Sequence, residues 1–166
     1  TEDPDTEGLA DYAYSLYRAS QYESAIQIYD EVNQKYPENA NAWHLKGYAH
    51  LMLNDGEYSD AIAAVTEAIR LIKDQEAPEA LNSHGDYLDS LGRIYQKIGE
   101  TQESADHTQD SDAFKNARRC CVESLRYRPN NADTLTLLAQ VFRSLGEEAE
   151  AQKVDGQLAA LKVKQT

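Results

Sequence analysis

The sequence predicts an all-α protein, an array of antiparallel helix pairs, and three observations predict it. The chain repeats itself: units aligned from Thr6, Ala40, Gly85 and Ala132 carry Ala13, Gly47, Gly92 and Ala139 at the eighth position. They carry Ala25, Ala61, Ala117 and Ala151 at a second shared position, once insertions are allowed for. Small residues in both slots let two helices, A and B, approach closely within each unit. Apolar residues also recur at helical spacing, as in Tyr58, Ala61, Ile62, Val65, Ala68, Ile69 and Ile72, which line one face of a helix. Finally, the breakers fall at joints. Pro37 and Pro129 end units, and Gly56, Gly99 and Gly146 stand where the chain is expected to reverse between A and B helices.

Taken in order, the first unit spans about 6–39. Its B helix lies within "SQYESAIQIYDEVNQKYPENA", residues 20–40, with an apolar stripe of Tyr22, Ala25, Ile26, Tyr29 and Val32. That stripe is expected to meet its own A helix and then the next one, starting near Asn41, because no unit of this size buries the face alone. The second unit, about 40–75, pairs a helix through Trp43 and Gly47 with the Tyr58–Ile72 stripe. Residues 76–84, "EAPEALNSH", are an insertion; "PEAL" makes a good first helical turn and extends the third A helix backwards from Gly85.

The third unit, about 85–131, contains a larger insertion at 100–112, "ETQESADHTQDSD". It lacks aromatic and branched apolar residues and reads as an acidic, mobile loop between helices A and B. The B helix that follows is basic, with Lys115, Arg118, Arg119, Arg126 and Arg128. Three roles stand open for the loop: a docking arm for a basic partner, a cover for its own basic helix, or a solvated segment. The fourth unit, about 132–166, carries Asp155 on its B helix after the charged "GEEAEAQK", as suits a terminal unit whose outer face meets water.

The net charge of −13 argues against nucleic acid as a direct partner, since such binding begins with Lys and Arg neutralising phosphates. Glu2, Asp3, Asp5, Glu7, Asp11, Glu100, Glu103, Asp106, Asp110 and Asp112 supply most of the excess; the remainder holds 19 acids against 16 bases. No apolar run reaches the roughly 18 residues of a membrane span, so no membrane insertion is expected. Cys120 and Cys121 are neighbours in a helical pattern, where adjacent side chains diverge, so no disulfide joins them and a reducing, cytoplasmic setting is the expectation. Because the chain starts at Thr1 without a Met, a trimmed or processed N-terminus leaves other compartments open. His44, His50, His84 and His107 are scattered, no Gly-rich phosphate loop or zinc spacing is present, and no catalytic residue, metal or cofactor is expected. A His such as His44 reads as a hydrogen-bonding surface residue.

"LDSLGRIY" at 88–95 and "AWHLKG" at 42–47 resemble the tetratricopeptide repeat signature of W-x2-L-G-x2-Y followed by Ala, an aromatic and Pro. The resemblance spans nearly the whole chain. Lys46 departs from it where leucine is usual, Asp155 where an aromatic is usual, and the unit spacing is uneven. The resemblance implies one domain, 1–166, folded as a right-handed superhelix of antiparallel helix pairs, an α-solenoid whose A helices line the inner face. It also implies a peptide-binding groove, with Tyr14, Tyr17, Arg18, Asn41, His44, Tyr48, Leu51 and Met52 from the first two units and Asp89, Arg93 and Gln96 from the third. Relatives that grip the C-terminal carboxylate of heat-shock proteins need Lys, Asn and Arg donors; the matching slots here are Ala10, Tyr14, Tyr48, Asp86 and Ser90, which disfavours that partner class.

The expectation is therefore a non-enzymatic adaptor that holds a peptide or helix of a partner protein. Two alternatives compete with it: an acidic assembly chaperone shielding a basic client, and a structural or self-assembling scaffold. The oligomeric state stays open.

Overall fold

The computed structural model describes the backbone of residues 4–54, 56, 58–106 and 111–164, and the side chains of 7–54, 56, 58–101 and 112–164. Among the described residues there are eight helices and no strand: α1 (Pro4–Arg18), α2 (Tyr22–Lys35), α3 (Ala40–Leu53), α4 (Tyr58–Ile72), α5 (Pro78–Asp106), α6 (Ser111–Tyr127), α7 (Ala132–Ser144) and α8 (Glu148–Lys164). They pack in two compact units, Thr1–Gln75 and Glu76–Thr166.

In the first unit α1 packs on α2, α2 on α3 and α3 on α4. Ala13, Ala25, Tyr29, Val32 and Ala42 form a buried cluster, so the stripe of α2 covers both its own partner and the next A helix. The α1–α2 turn is tight. Gln21 N–H donates to Leu16 O at 2.9 Å and Ser20 N–H to Tyr17 O at 2.9 Å, closing the helix end around Ser20 at φ 59°. At the other joint the Asn39 side chain accepts from Ala42 N–H at 3.0 Å and starts α3, while Trp43 Nε1–H donates to Pro37 O at 2.9 Å. Gly47 is needed for close approach: a Cβ there would stand 2.6 Å from Val65 Cγ2 and 2.8 Å from Ala61 O on α4. Lys46 is no loose end in this packing, for its Nζ pairs with Asp30 of α2 at 2.5 Å and lies over the Trp43 ring at 5.7 Å.

In the second unit α5 packs on α6, α6 on α7 and α7 on α8. Phe114, Ala117, Cys121, Leu135, Leu137, Leu138, Ala139, Val141 and Val154 make up a buried cluster drawn from α6, α7 and α8. Asn131 caps α7 by accepting from Thr134 N–H at 2.9 Å, and Ser124 Oγ–H donates to Gly85 O at 2.6 Å inside the α5–α6 contact. Asp155 ion-pairs with Arg143 of α7, which accommodates a charge at a usually aromatic slot by pairing it within its own hairpin.

Two expectations are corrected. Gly99 is no turn residue but lies inside α5, where a Cβ would stand 2.7 to 2.9 Å from the Phe114 ring; helix and aromatic could not otherwise meet. The acidic insertion is not a loop across 100–112. Residues 100–106 continue α5 and 111–112 begin α6, while 107–110 fall outside the described residues. The helix persists because nothing between Gly99 and Ala105 breaks it, and Thr101 Oγ1–H donates back to Lys97 O at 2.8 Å within the same helix. The cations of α6 divide, Lys115 pairing with Asp112 of the insertion at 3.4 Å. Arg118 pairs with Glu147 at 2.6 Å and Arg128 with Asp86 at 3.2 Å.

Candidate functional site

The residues expected to line a groove divide between the two units. In the first, α1 supplies Tyr14, Tyr17 and Arg18, and α3 supplies Asn41, His44, Tyr48, Leu51 and Met52. The structure brings four of these rings into one cluster. Tyr14 and Tyr17, one helical turn apart, have centroids 6.3 Å apart and planes within 10°. Tyr17 meets Tyr48 across the α1–α3 contact at 6.2 Å and 54°, and Tyr48 meets His44 at 6.2 Å and 43°. Tyr22, at the start of α2, sits edge-on to Tyr17 at 5.6 Å. That ring was not among the expected site residues. The short α1–α2 turn carries it to the end of α1, and only the α2 core stripe marked it in the sequence.

Exposure sorts the cluster. Tyr14 and Met52 are each 46% exposed, and Arg18 and Asn41 are exposed at the ends of their helices. Tyr17, Tyr48 and Leu51 are half-buried, and Tyr17 also packs against the core cluster of this unit. His44 is 7% exposed, so the surface role expected for it is corrected: burial among α3 neighbours makes it part of the cluster's base. Burial pushes the Tyr17 phenol up to about 12, with Tyr48, Tyr22 and Tyr14 adding to the shift; Tyr29 beneath is pushed higher still, chiefly by burial. Both phenols are therefore neutral at every physiological pH, and the cluster offers ring faces and hydroxyls instead of phenolate charge.

The remaining three residues lie on α5 of the second unit and are committed to their own structure. Asp89, 7% exposed, accepts from Arg93 Nε–H at 2.9 Å, and Gln96 Nε2–H donates to Gln140 Oε1 of α7 at 3.1 Å. A buried carboxylate tied to the next turn's guanidinium is a packing element as much as a contact surface.

No group of three or more His, Cys, Asp or Glu among the described residues could hold a metal ion. Cys120 and Cys121 are free and buried; burial pushes the Cys120 thiol up to about 11 and the Cys121 thiol higher, so neither presents a thiolate at neutral pH. No described helix is long and apolar enough to cross a membrane.

Helix pairs joined by tight turns, with small residues at the crossings and inner-helix side chains left for contact, define a helical-repeat protein. The family model of the tetratricopeptide repeat matches residues 16–83, a stretch that holds α2, α3 and α4. No curated protein matches the sequence. Among solved structures, the MamA RS-1 ArsTM double mutant aligns over 99% of this chain and 79% of its own at 15% identity and a TM-score of 0.76. PilW, described as a widely conserved type IV pilus biogenesis factor, aligns over 96% of this chain and 78% of its own at 14% identity and a TM-score of 0.43. YrrB, described as a TPR protein with an unusual peptide-binding site, aligns over 95% and 91% at 16% identity and a TM-score of 0.37. Of these three, only the first superposes closely enough to bear on the fold, and it agrees with an all-α array of helix pairs.

Proposed function

We propose that this chain is a non-enzymatic interaction module that holds a peptide or helix of a partner protein against the inner helices of its first unit. The reading takes the chain as four repeat units, at about 6–39, 40–75, 85–131 and 132–166. One observation carries it: α1 and α3 bring Tyr14, Tyr17 and Tyr48 into one ring cluster on which Tyr14 is nearly half exposed. Aromatic side chains offer large contact area for little lost rotamer freedom, and a cluster of them left in water favours an occupant. The repeat match at 16–83 covers α3 whole but only residues 16–18 of α1, and supports an interaction role for this unit. Tyr48→Ala tests it. The variant is expected to keep its helical circular dichroism and to lose at least about tenfold in affinity for a partner recovered by affinity capture, the loss typical of a contact residue at the centre of an interface. Unchanged affinity would count against the groove.

An assembly chaperone for a basic client is the second reading, favoured by the charge of the first unit. Residues 1–75 hold 14 acids and 5 bases, a net of −9 out of −13.

A further inference from the structure

The aromatic cluster and the charge of the first unit meet on α1, and together they specify an occupant more narrowly than either does alone. Tyr14 and Tyr17 have aligned ring planes, and Tyr48 is inclined to Tyr17 by 54°, so the three form a corner of π-surface instead of a flat wall. Asp11 and Glu7 stand three and seven residues before Tyr14, one and two turns away along the same helix face, and both are exposed. Of the five bases in this unit, Lys46 is paired with Asp30 and Arg70 with Glu67, Lys35 ends α2 and Lys73 follows α4, and Arg18 is the base on α1, on the turn after Tyr14. The field along α1 is therefore negative on the side of Tyr14 toward the helix start and positive on the other.

Ring faces carry the negative lobe of the aromatic quadrupole and attract cations within about 6 Å of the centroid. An apolar anchor would gain from the rings but nothing from the acids; a carboxylate would be repelled by both. On the groove reading given above, we infer that the Tyr14–Tyr17–Tyr48 corner receives a lysine or arginine side chain of the partner segment, with Asp11 and Glu7 drawing that cation to the side away from Arg18. The occupant is accordingly a basic, partly apolar peptide or helix.

The test uses three fluorescein-labelled amphipathic probe peptides with leucines at helical spacing, differing only at one central residue that is lysine, norleucine or glutamate. Fluorescence anisotropy at about 0.15 M salt suppresses diffuse attraction beyond a Debye length of roughly 8 Å. The lysine peptide should bind about 2- to 5-fold tighter than the norleucine peptide, the range expected for an exposed cation–π contact, and the glutamate peptide weakest. Tyr14→Leu, at an exposed position on α1, should abolish the lysine preference, read as the ratio of lysine-peptide to norleucine-peptide affinity within the same variant. Glu7→Gln with Asp11→Asn should reduce it. Equal affinity for lysine and norleucine overturns the cation site and leaves the groove standing. A lysine preference that survives Tyr14→Leu and vanishes only when the two acids are neutralised overturns the aromatic role. Failure of all three peptides to bind at millimolar concentration overturns both this inference and the groove reading.

Discussion

At the scale of single residues, the structure separates positions that resemble one another in the sequence. Ser20 and Gly146 close equivalent turns: Gly146 N–H bonds to Arg143 O at 2.9 Å and Glu147 N–H to Phe142 O at 2.8 Å, the arrangement seen at Ser20, with φ of 74° and 59° respectively. Only the serine carries a Cβ into left-handed backbone, at a cost of about 1–2 kcal/mol, against which glycine would lose about 0.5–1 kcal/mol of unfolded-state entropy. Ser20→Gly should therefore stabilise the protein, by up to about 1 kcal/mol in urea unfolding; a lower midpoint would show that the turn is not strained. Helical glycines divide the same way. Gly156 of α8 has nothing within 4 Å of a built Cβ, so Gly156→Ala should stabilise by about 0.8–1 kcal/mol through helix propensity. Gly99→Ala should destabilise despite the same propensity gain, because its methyl enters a buried Phe114 ring, and overpacking costs about 1–3 kcal/mol. If both alanines shifted the midpoint alike, the close approach at Gly99 would be wrong.

At the scale of helices and their pairs, most of the architecture was legible because two independent signals agreed. The period of apolar residues fixed the helices, and the small residues at the eighth and twentieth positions fixed where they cross. Ala13, Ala25, Gly47, Ala61, Gly92, Ala117, Ala139 and Ala151 are all buried. Ala61→Phe should accordingly force α4 off α3, since the Ala61 carbonyl already stands 2.8 Å from where a Gly47 Cβ would lie. The expected cost is about 1–3 kcal/mol or more in thermal unfolding, with full helical content below the transition. What failed to read through was glycine at a single position and a polar segment without breakers. A glycine marks both a reversal and a contact, and Gly99 took the second meaning because Phe114, on the partner helix, decided it. The stretch after Gly99 has a loop's composition, yet nothing in 100–106 forbids helix, and hydrophobicity alone does not end one. The site was half legible for a related reason. Slots on α1 and α3 predicted which rings share a face, but not that His44 is buried, that Asp89 is spent on Arg93, or that Tyr22 arrives from α2 to back Tyr17. Those depend on which neighbour a side chain meets, and spacing within one helix does not carry that information.

At the scale of the whole molecule the question is whether charge or apolar surface governs association. Of the net −13, residues 1–75 hold −9 and residues 76–166, with 15 acids and 11 bases, hold −4. A charge of that size steers a basic partner from a distance, and such steering collapses as the screening length falls from roughly 30 Å at 0.01 M salt to about 8 Å at 0.15 M. Contact with the tyrosine corner of α1 and α3 is short-range and partly desolvated, so salt screens it much less. The two readings of the molecule thus differ in slope. Held by rings and an aligned lysine or arginine, a partner should lose less than about tenfold in affinity over that salt range, with the loss falling mainly on the association rate. A client shielded by diffuse negative charge should lose far more, and should be indifferent to Tyr14→Leu and Tyr48→Ala. Measuring association and dissociation rates for the captured partner at both salt concentrations, with wild type and Tyr48→Ala, resolves the matter. A dissociation rate raised by the substitution at 0.15 M salt places the binding energy in the aromatic cluster. A steep salt slope with no effect of the substitution would move it to the acidic surface and remove the groove from the protein's function.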